Sequence, residues 1–306
     1  VEPPAPTDTS PAEGGKSGTA FGLVLVALLP LGLAAQLTRP LAGLLWTEPF
    51  VFLLPAVVVA AGSNLDPRAW LRLRPASRTA VAGGALVGVA GWFLGSAVFA
   101  TARALAPASL VARYDLTRIF EGPVVEQLGF AVAASVIAPV CEEVAFRGQL
   151  ASAYHSRHAP AFAIGASAIL FALLHLDPLR GPALLVLGAL YGWLAWRTGS
   201  IWPAVVAHAV NNGIASALAL ALGDAGARVE PTLGDALVGV AVGAAAAAAA
   251  VSAFRALVPA APRAPGLPLA NPADPSTRFR PALVPRPLRW AMAAGWVGLG
   301  AILLSR

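Results

Sequence analysis

Long apolar runs alternate with short arginine-bearing breaks along this chain, and the runs have the length of bilayer-crossing helices. A hydrocarbon core roughly 30 Å thick needs about 20 apolar residues as helix. Nine runs meet or approach that length: Ala20–Thr38, Ala42–Gly62, Thr79–Ala106, Leu128–Ala153, Pro160–Leu176, Pro182–Arg197, Ser200–Leu222, Leu233–Val258 and Leu288–Leu304. Glu48 and Pro49 interrupt the second. The fifth and sixth are short, which suits helices enclosed by others. The pattern predicts an all-α polytopic transmembrane bundle of about 8–9 spans. Between the spans, Arg68–Arg78 (RAWLRLRPASR) is short, basic and aromatic and reads as an interfacial segment. Leu110–Gln127 holds a further amphipathic piece.

Residues 1–19 are polar and rich in Pro and Gly, and their composition is that of a disordered tail. No small-residue cleavage site follows the first apolar run, which makes it a signal anchor rather than a cleaved signal peptide. Residues 20–123 hold the N-terminal helices and the interfacial segment, and residues 223–258 an additional helix. Residues 259–287 form a proline-rich linker with interspersed arginines, and residues 288–306 a last span.

Composition agrees with the pattern. The chain is 58% hydrophobic and 12% charged, with mean hydropathy +0.72, whereas soluble domains are about 25% charged. The net charge of +6 sits mostly in loops, so it argues for membrane orientation and against a nucleic-acid partner. With Arg147 set aside inside a span, 13 Lys and Arg residues fall on the side of the N-terminus and 7 on the other. That asymmetry predicts a cytoplasmic N-terminus. Heavy use of Ala, Gly, Pro and Arg over Lys suggests a GC-rich bacterial genome, hence a plasma membrane. Cys141 is the single cysteine, which excludes an internal disulfide. Small residues four apart at Gly84/Gly88, Gly91/Gly95, Gly188/Gly192 and Gly239/Gly243 permit close helix packing. Trp46, Trp70, Trp193, Trp196, Trp202 and Trp290 lie near span ends, as aromatic belts do.

Three apolar segments break the pattern with polar residues. In the fourth span Glu142 and Glu143 are adjacent, and Arg147 follows one turn after Glu143. Each charge at bilayer depth costs on the order of 2.5–3.5 kcal/mol, so such residues face a protein interior or a wet cavity and mark function. Glu143 and Arg147 share a helix face and can pair, while Glu142 points about 100° away. Two close carboxylates in a low dielectric cannot both ionise cheaply, which leaves Glu142 suited to accept a proton. Pro139 removes a helix hydrogen bond one turn earlier and opens space there. In the fifth span Phe171 and His175 are four apart. In the seventh His208 and Asn212 are four apart on one face, and Asn211 is turned away from it. A histidine and an amide on one face can donate to a single oxygen, as an oxyanion hole requires. The full set is an inventory for hydrolysing an acyl or peptide bond. It equally offers a two-His, one-Glu zinc site at Glu142, His175 and His208. Cys141 reads as apolar filler, and His155 and His158 as a solvated basic cluster beside Arg157.

The motifs EExxxR at Glu142–Arg147, FxxxH at Phe171–His175 and HxxxN at His208–Asn212, with RTGSIWP before the last, carry a resemblance. In this order they resemble the CAAX protease and bacteriocin-processing family (CPBP, or Abi), which includes the Ras-converting type II CAAX prenyl endopeptidases. The similarity covers residues 124–222. It implies an intramembrane endopeptidase whose active site lies between spans 4, 5 and 7, in one cavity open to the cytosol. Carried over, Glu142 is the general base and His175 positions or polarises the water. His208 and Asn212 then hold the oxyanion, and Glu143, Arg147 and Phe171 are supporting. The family resemblance favours a glutamate-type mechanism without a cofactor over a zinc-dependent one. It implies a peptide or membrane-protein substrate within the lipid bilayer. The alternatives are a non-proteolytic membrane scaffold or bacteriocin self-immunity protein of the same family and, ranked below these, a small transporter with a proton relay. The last would normally show inverted repeats.

Overall fold

The computed structural model describes residues 11–63, 66–114, 122–227 and 232–261, and every element among them is helical. In chain order the helices are α1 (Pro11–Thr38), α2 (Pro40–Gly62), α3 (Pro67–Trp70), α4 (Arg78–Leu105) and α5 (Ala108–Arg113). They continue as α6 (Val124–His155), α7 (Pro160–Leu174), α8 (Gly181–Thr198), α9 (Trp202–Ala227) and α10 (Leu233–Leu257). Proline opens α2, α3 and α7, where its missing N–H is no loss. Ser77 caps α4, Thr232 and Asp235 form a capping box on α10, and Gly199 ends α8 at φ +65°.

Six helices, α1, α2, α4, α6, α9 and α10, are long and apolar enough to cross a membrane. Eight of the nine expected spans coincide with a helix, but the fifth and sixth are not among those six. The fifth, α7, has only 15 residues. The sixth, α8, is built for enclosure, with Leu187, Tyr191 and Leu194 in the core. The ninth expected span and most of the proline-rich linker lie outside the described residues, as does much of the amphipathic piece between Leu110 and Gln127.

Two differences from the sequence reading have a physical cause. Helix α1 begins at Pro11, nine residues inside the stretch whose composition suggested a tail. Its small residues are contact points: a Cβ added at Gly14 would overlap Ser156, and one at Gly18 would crowd Ala153. Ser17 is buried and accepts a hydrogen bond from Gln149. Nor do Glu48 and Pro49 break α2. The chain widens to i→i+5 winding over Glu48–Leu53 and absorbs the proline. Helix α6 does the same over Ala133–Ile137, just before Pro139, and again over Val144–Leu150.

The small-residue pairs set the packing. Gly84 and Gly88 lie against Pro203 and Ala207 of α9, and Gly91 and Gly95 against Leu187 of α8. Gly188 and Gly192 meet Ala168 and Ile164 of α7, and Gly239 and Gly243 meet Ala97 and Leu94 of α4. A Cβ at Gly88 would overlap the Ala207 carbonyl. Gly88→Val is therefore expected to pry α4 from α9 and destabilise the fold by about 1–3 kcal/mol, read as a lower melting temperature in detergent.

One end of the bundle is basic and plugged. It gathers the start of α1, α3 and its following turn, the α6–α7 turn, and the junctions of α8 with α9 and α10. Ile201 N–H donates to the Arg72 carbonyl at 3.0 Å, Ser200 Oγ to the Arg74 carbonyl at 2.7 Å, and Arg197 to the Val258 carbonyl at 3.1 Å. Trp70 is the plug. It is 4% exposed, its Nε1 donates to Gln149 Oε1 at 2.7 Å, and Ser152 Oγ donates to its carbonyl at 2.9 Å. It thus departs from the aromatic belt in which the sequence placed it. Trp46, Trp196 and Trp202 stay exposed, whereas Trp193 packs edge-on against Phe254.

Candidate active site

The site is built by α6, α7 and α9, with α2 and α8 closing it. Helix α6 presents its two carboxylates in different directions. Glu143 receives Arg147 Nη1 at 2.9 Å, and neither side chain is exposed at all. Arg147 Nη2 also donates to the Gly188 carbonyl of α8 at 3.0 Å. Its guanidinium carbon lies 4.5 Å from the Phe171 ring centre and 5.5 Å from that of Tyr191. Such a desolvated cation is held by charge and by ring faces together. The same Glu143 oxygen meets His208 Nδ1 at 3.0 Å. An ionised carboxylate only accepts, so Nδ1 carries the proton and the ring's Nε2 is fixed in direction.

Glu142 points the other way, toward both histidines. Its Oε2 lies 3.7 Å from His208 Nε2 and its Oε1 lies 4.0 Å from His175 Nε2. His175 follows the last residue of α7, where its Nδ1 contacts the Phe171 carbonyl at 2.7 Å. A carbonyl is acceptor-only, so this Nδ1 also carries the proton and Nε2 is left toward Glu142. The turn behind His175 is tightly specified. Leu176 adopts φ +50°, an unfavourable value for a side-chain-bearing residue. Asp177 holds it by accepting from Leu179 N, Arg180 N and Arg180 Nε at 2.9, 2.9 and 2.7 Å.

Phe171 is the packing hub, 1% exposed, with ring-centre distances of 4.8 Å to His175, 5.8 Å to His208 and 5.2 Å to Phe146. Tyr191 stacks on His208 at 5.0 Å and 22°, and its buried hydroxyl has no hydrogen-bond partner among the described residues. Thus Glu142, Glu143, Arg147, Phe171, His175 and His208 come together. Asn212 does so only in part. Its Nδ2 donates to the Ala134 carbonyl at 2.9 Å, and its Oδ1 accepts from Asn211 at 3.0 Å. One Asn212 N–H is committed to the wide turn of α6.

The sequence did not single out Tyr191 or Asp177 and set Asn211 aside. It gave Glu48 only as an interruption of α2, yet Glu48 is buried on a turn that packs against α6. Cys141 lies in the apolar core, as filler would. His155 and His158 are partly buried, not solvated. His158, in the turn after α6, is held below the usual imidazole range by burial and then by Arg157. Among the described residues no group of three His, Cys, Asp or Glu side chains is arranged to hold a metal ion.

Exposure rises across the site in one direction. Arg147 and Gln149, toward the plugged end, are fully buried. Glu142 is 7% exposed, and the His175 side chain is 25% exposed. Helix α7 starts at the basic end beside α6, so His175, about 22 Å along it, lies toward the opposite end.

Residues 124–214 match a family model described as "Type II CAAX prenyl endopeptidase Rce1-like". The matched stretch runs from the start of α6 into α9 and contains all three motifs. No curated protein and no solved structure matches the chain.

Proposed function

Because residues 124–214 place this chain in the CAAX protease family, with six helices able to cross a membrane, we propose that it is an intramembrane endopeptidase. In this reading Glu142 takes a proton from a water whose oxygen attacks the scissile carbonyl. The C–O bond forms, the proton passes from Glu142 to the leaving nitrogen, and the C–N bond breaks. His175, with Nδ1 tied to Phe171, accepts the water's second O–H at Nε2 and orients it. His208 and Asn212 donate to the oxyanion. Since His208 Nδ1 already donates to Glu143, its Nε2 can also donate only in the doubly protonated ring. Glu143, braced by Arg147, is then its counter-ion. The observation that carries this reading is Glu142 between two imidazole Nε2 atoms whose partners at Nδ1 are already fixed.

The substrate class is a peptide segment of a membrane protein, and the setting a bacterial plasma membrane. The cation asymmetry puts the plugged end, with the start of α1, at the cytoplasm. The partly exposed rim at His175 then faces away from it, whereas the family resemblance alone set the cavity toward the cytosol. Purified protein in lipid vesicles, given a quenched fluorescent transmembrane peptide, tests the activity. His175→Ala is expected to slow cleavage by about 100-fold with an unchanged melting temperature. Cleavage at the wild-type rate would remove His175 from the chemistry. Cellular function retained while cleavage is lost would favour the non-proteolytic scaffold or immunity role.

A further inference from the structure

Helix α2 lies outside the stretch that matches the family model, yet it carries a buried acid on a turn packed against the Ala138–Glu143 segment of α6. Glu48 is 2% exposed, and its Oε2 is fully enclosed without a hydrogen-bond partner among the described residues. No ion pair reaches it among the described residues. It opens the wide turn Glu48–Leu53, which packs on the Ala138–Glu143 segment of α6. Val51 and Phe52 of the turn share an apolar core with Cys141, the neighbour of Glu142.

A buried polar group without a partner weakens a fold. Nothing around Glu48 offsets that loss, so its carboxyl contributes nothing visible to stability. Unpaired polar groups and wide helical turns both concentrate at functional sites. Glu48 Oε2 is unspent among the described residues, and its turn packs on the segment that carries the residue assigned as the base.

We propose that Glu48 is a positioning residue, a carboxyl supplied by α2 that aligns Glu142 and its water through hydrogen bonding. This rests on the endopeptidase reading above. Glu48 does not exchange a proton with substrate in this scheme. It restricts where the Glu142 carboxyl and the attacking water can sit.

Three full-length variants, assayed in vesicles with the same fluorescent peptide, test the proposal. Glu48→Leu keeps the volume and removes all hydrogen bonding. It is expected to lower kcat by about tenfold or more with KM within about twofold, and to leave the melting temperature equal or higher. Glu48→Gln keeps the shape and the hydrogen-bonding groups and is expected to recover kcat to within about threefold of wild type. Wild-type kcat in Glu48→Leu would overturn the proposal. So would a parallel fall of kcat and melting temperature, which marks a purely structural residue. Failure of Glu48→Gln to recover activity would overturn the hydrogen-bonding assignment. Glu142→Gln separates the two levels. If it cleaves normally, the endopeptidase reading falls. If it is inactive while Glu48→Leu is fully active, only the role of Glu48 falls.

Discussion

Glu142→Ala is expected to reduce peptide cleavage at least 100-fold, the lower part of the range for losing a positioned general base at about 10²–10⁴. The protein should insert and melt as the wild type does. Among the described residues Glu142 makes no hydrogen bond to another side chain, and its contacts with the two histidines are 3.7 and 4.0 Å. Its removal leaves no buried cation without a partner, because Arg147 is satisfied by Glu143 and by the Gly188 carbonyl. Function and stability therefore separate at this residue. The measurement is the single-turnover rate in vesicles beside a melting curve in detergent. A cleavage rate within threefold of wild type would take Glu142 out of the mechanism.

Arg147→Met carries the opposite expectation, a large loss of stability. The side chain is wholly enclosed, so its deletion strands the Glu143 carboxylate in the interior with only His208 beside it. Removing one partner of a buried pair typically destabilises by about 3–5 kcal/mol. Lysine is a poor substitute. Its point charge cannot reach Glu143 and the Gly188 carbonyl together, and it lacks the flat face that lies against Phe171 and Tyr191. Arg147→Lys should fall between wild type and Arg147→Met in melting temperature. A Met variant as stable as wild type would show that the pair is not needed to hold α6 against α8.

The motifs were legible because each is local. Glu143 and Arg147 meet at one helical turn of spacing, and so do Phe171 and His175. What spacing could not show is what crosses between helices. Glu143 also orients His208, 65 residues later. Asn212 turns one amide hydrogen to Ala134, a carbonyl freed where α6 widens. Tyr191 sits in a short helix with no polar neighbour pattern to mark it. Glu48 read as an obstacle to a span because a regular helix has no place for Glu-Pro, and the wide turn supplies one. The start of α1 was misread for a related reason. Glycine and serine mean flexibility in a solvated strand and close contact on a packed helix, and composition is the same in both.

The seal at Trp70, Gln149 and Ser17 has a consequence for traffic. That layer is hydrogen-bonded from Trp70 of α3 through Gln149 of α6 to Ser17 of α1, and the site's side chains are most exposed at the other side, at His175. Water that reaches Glu142 without breaking the layer comes from the His175 side.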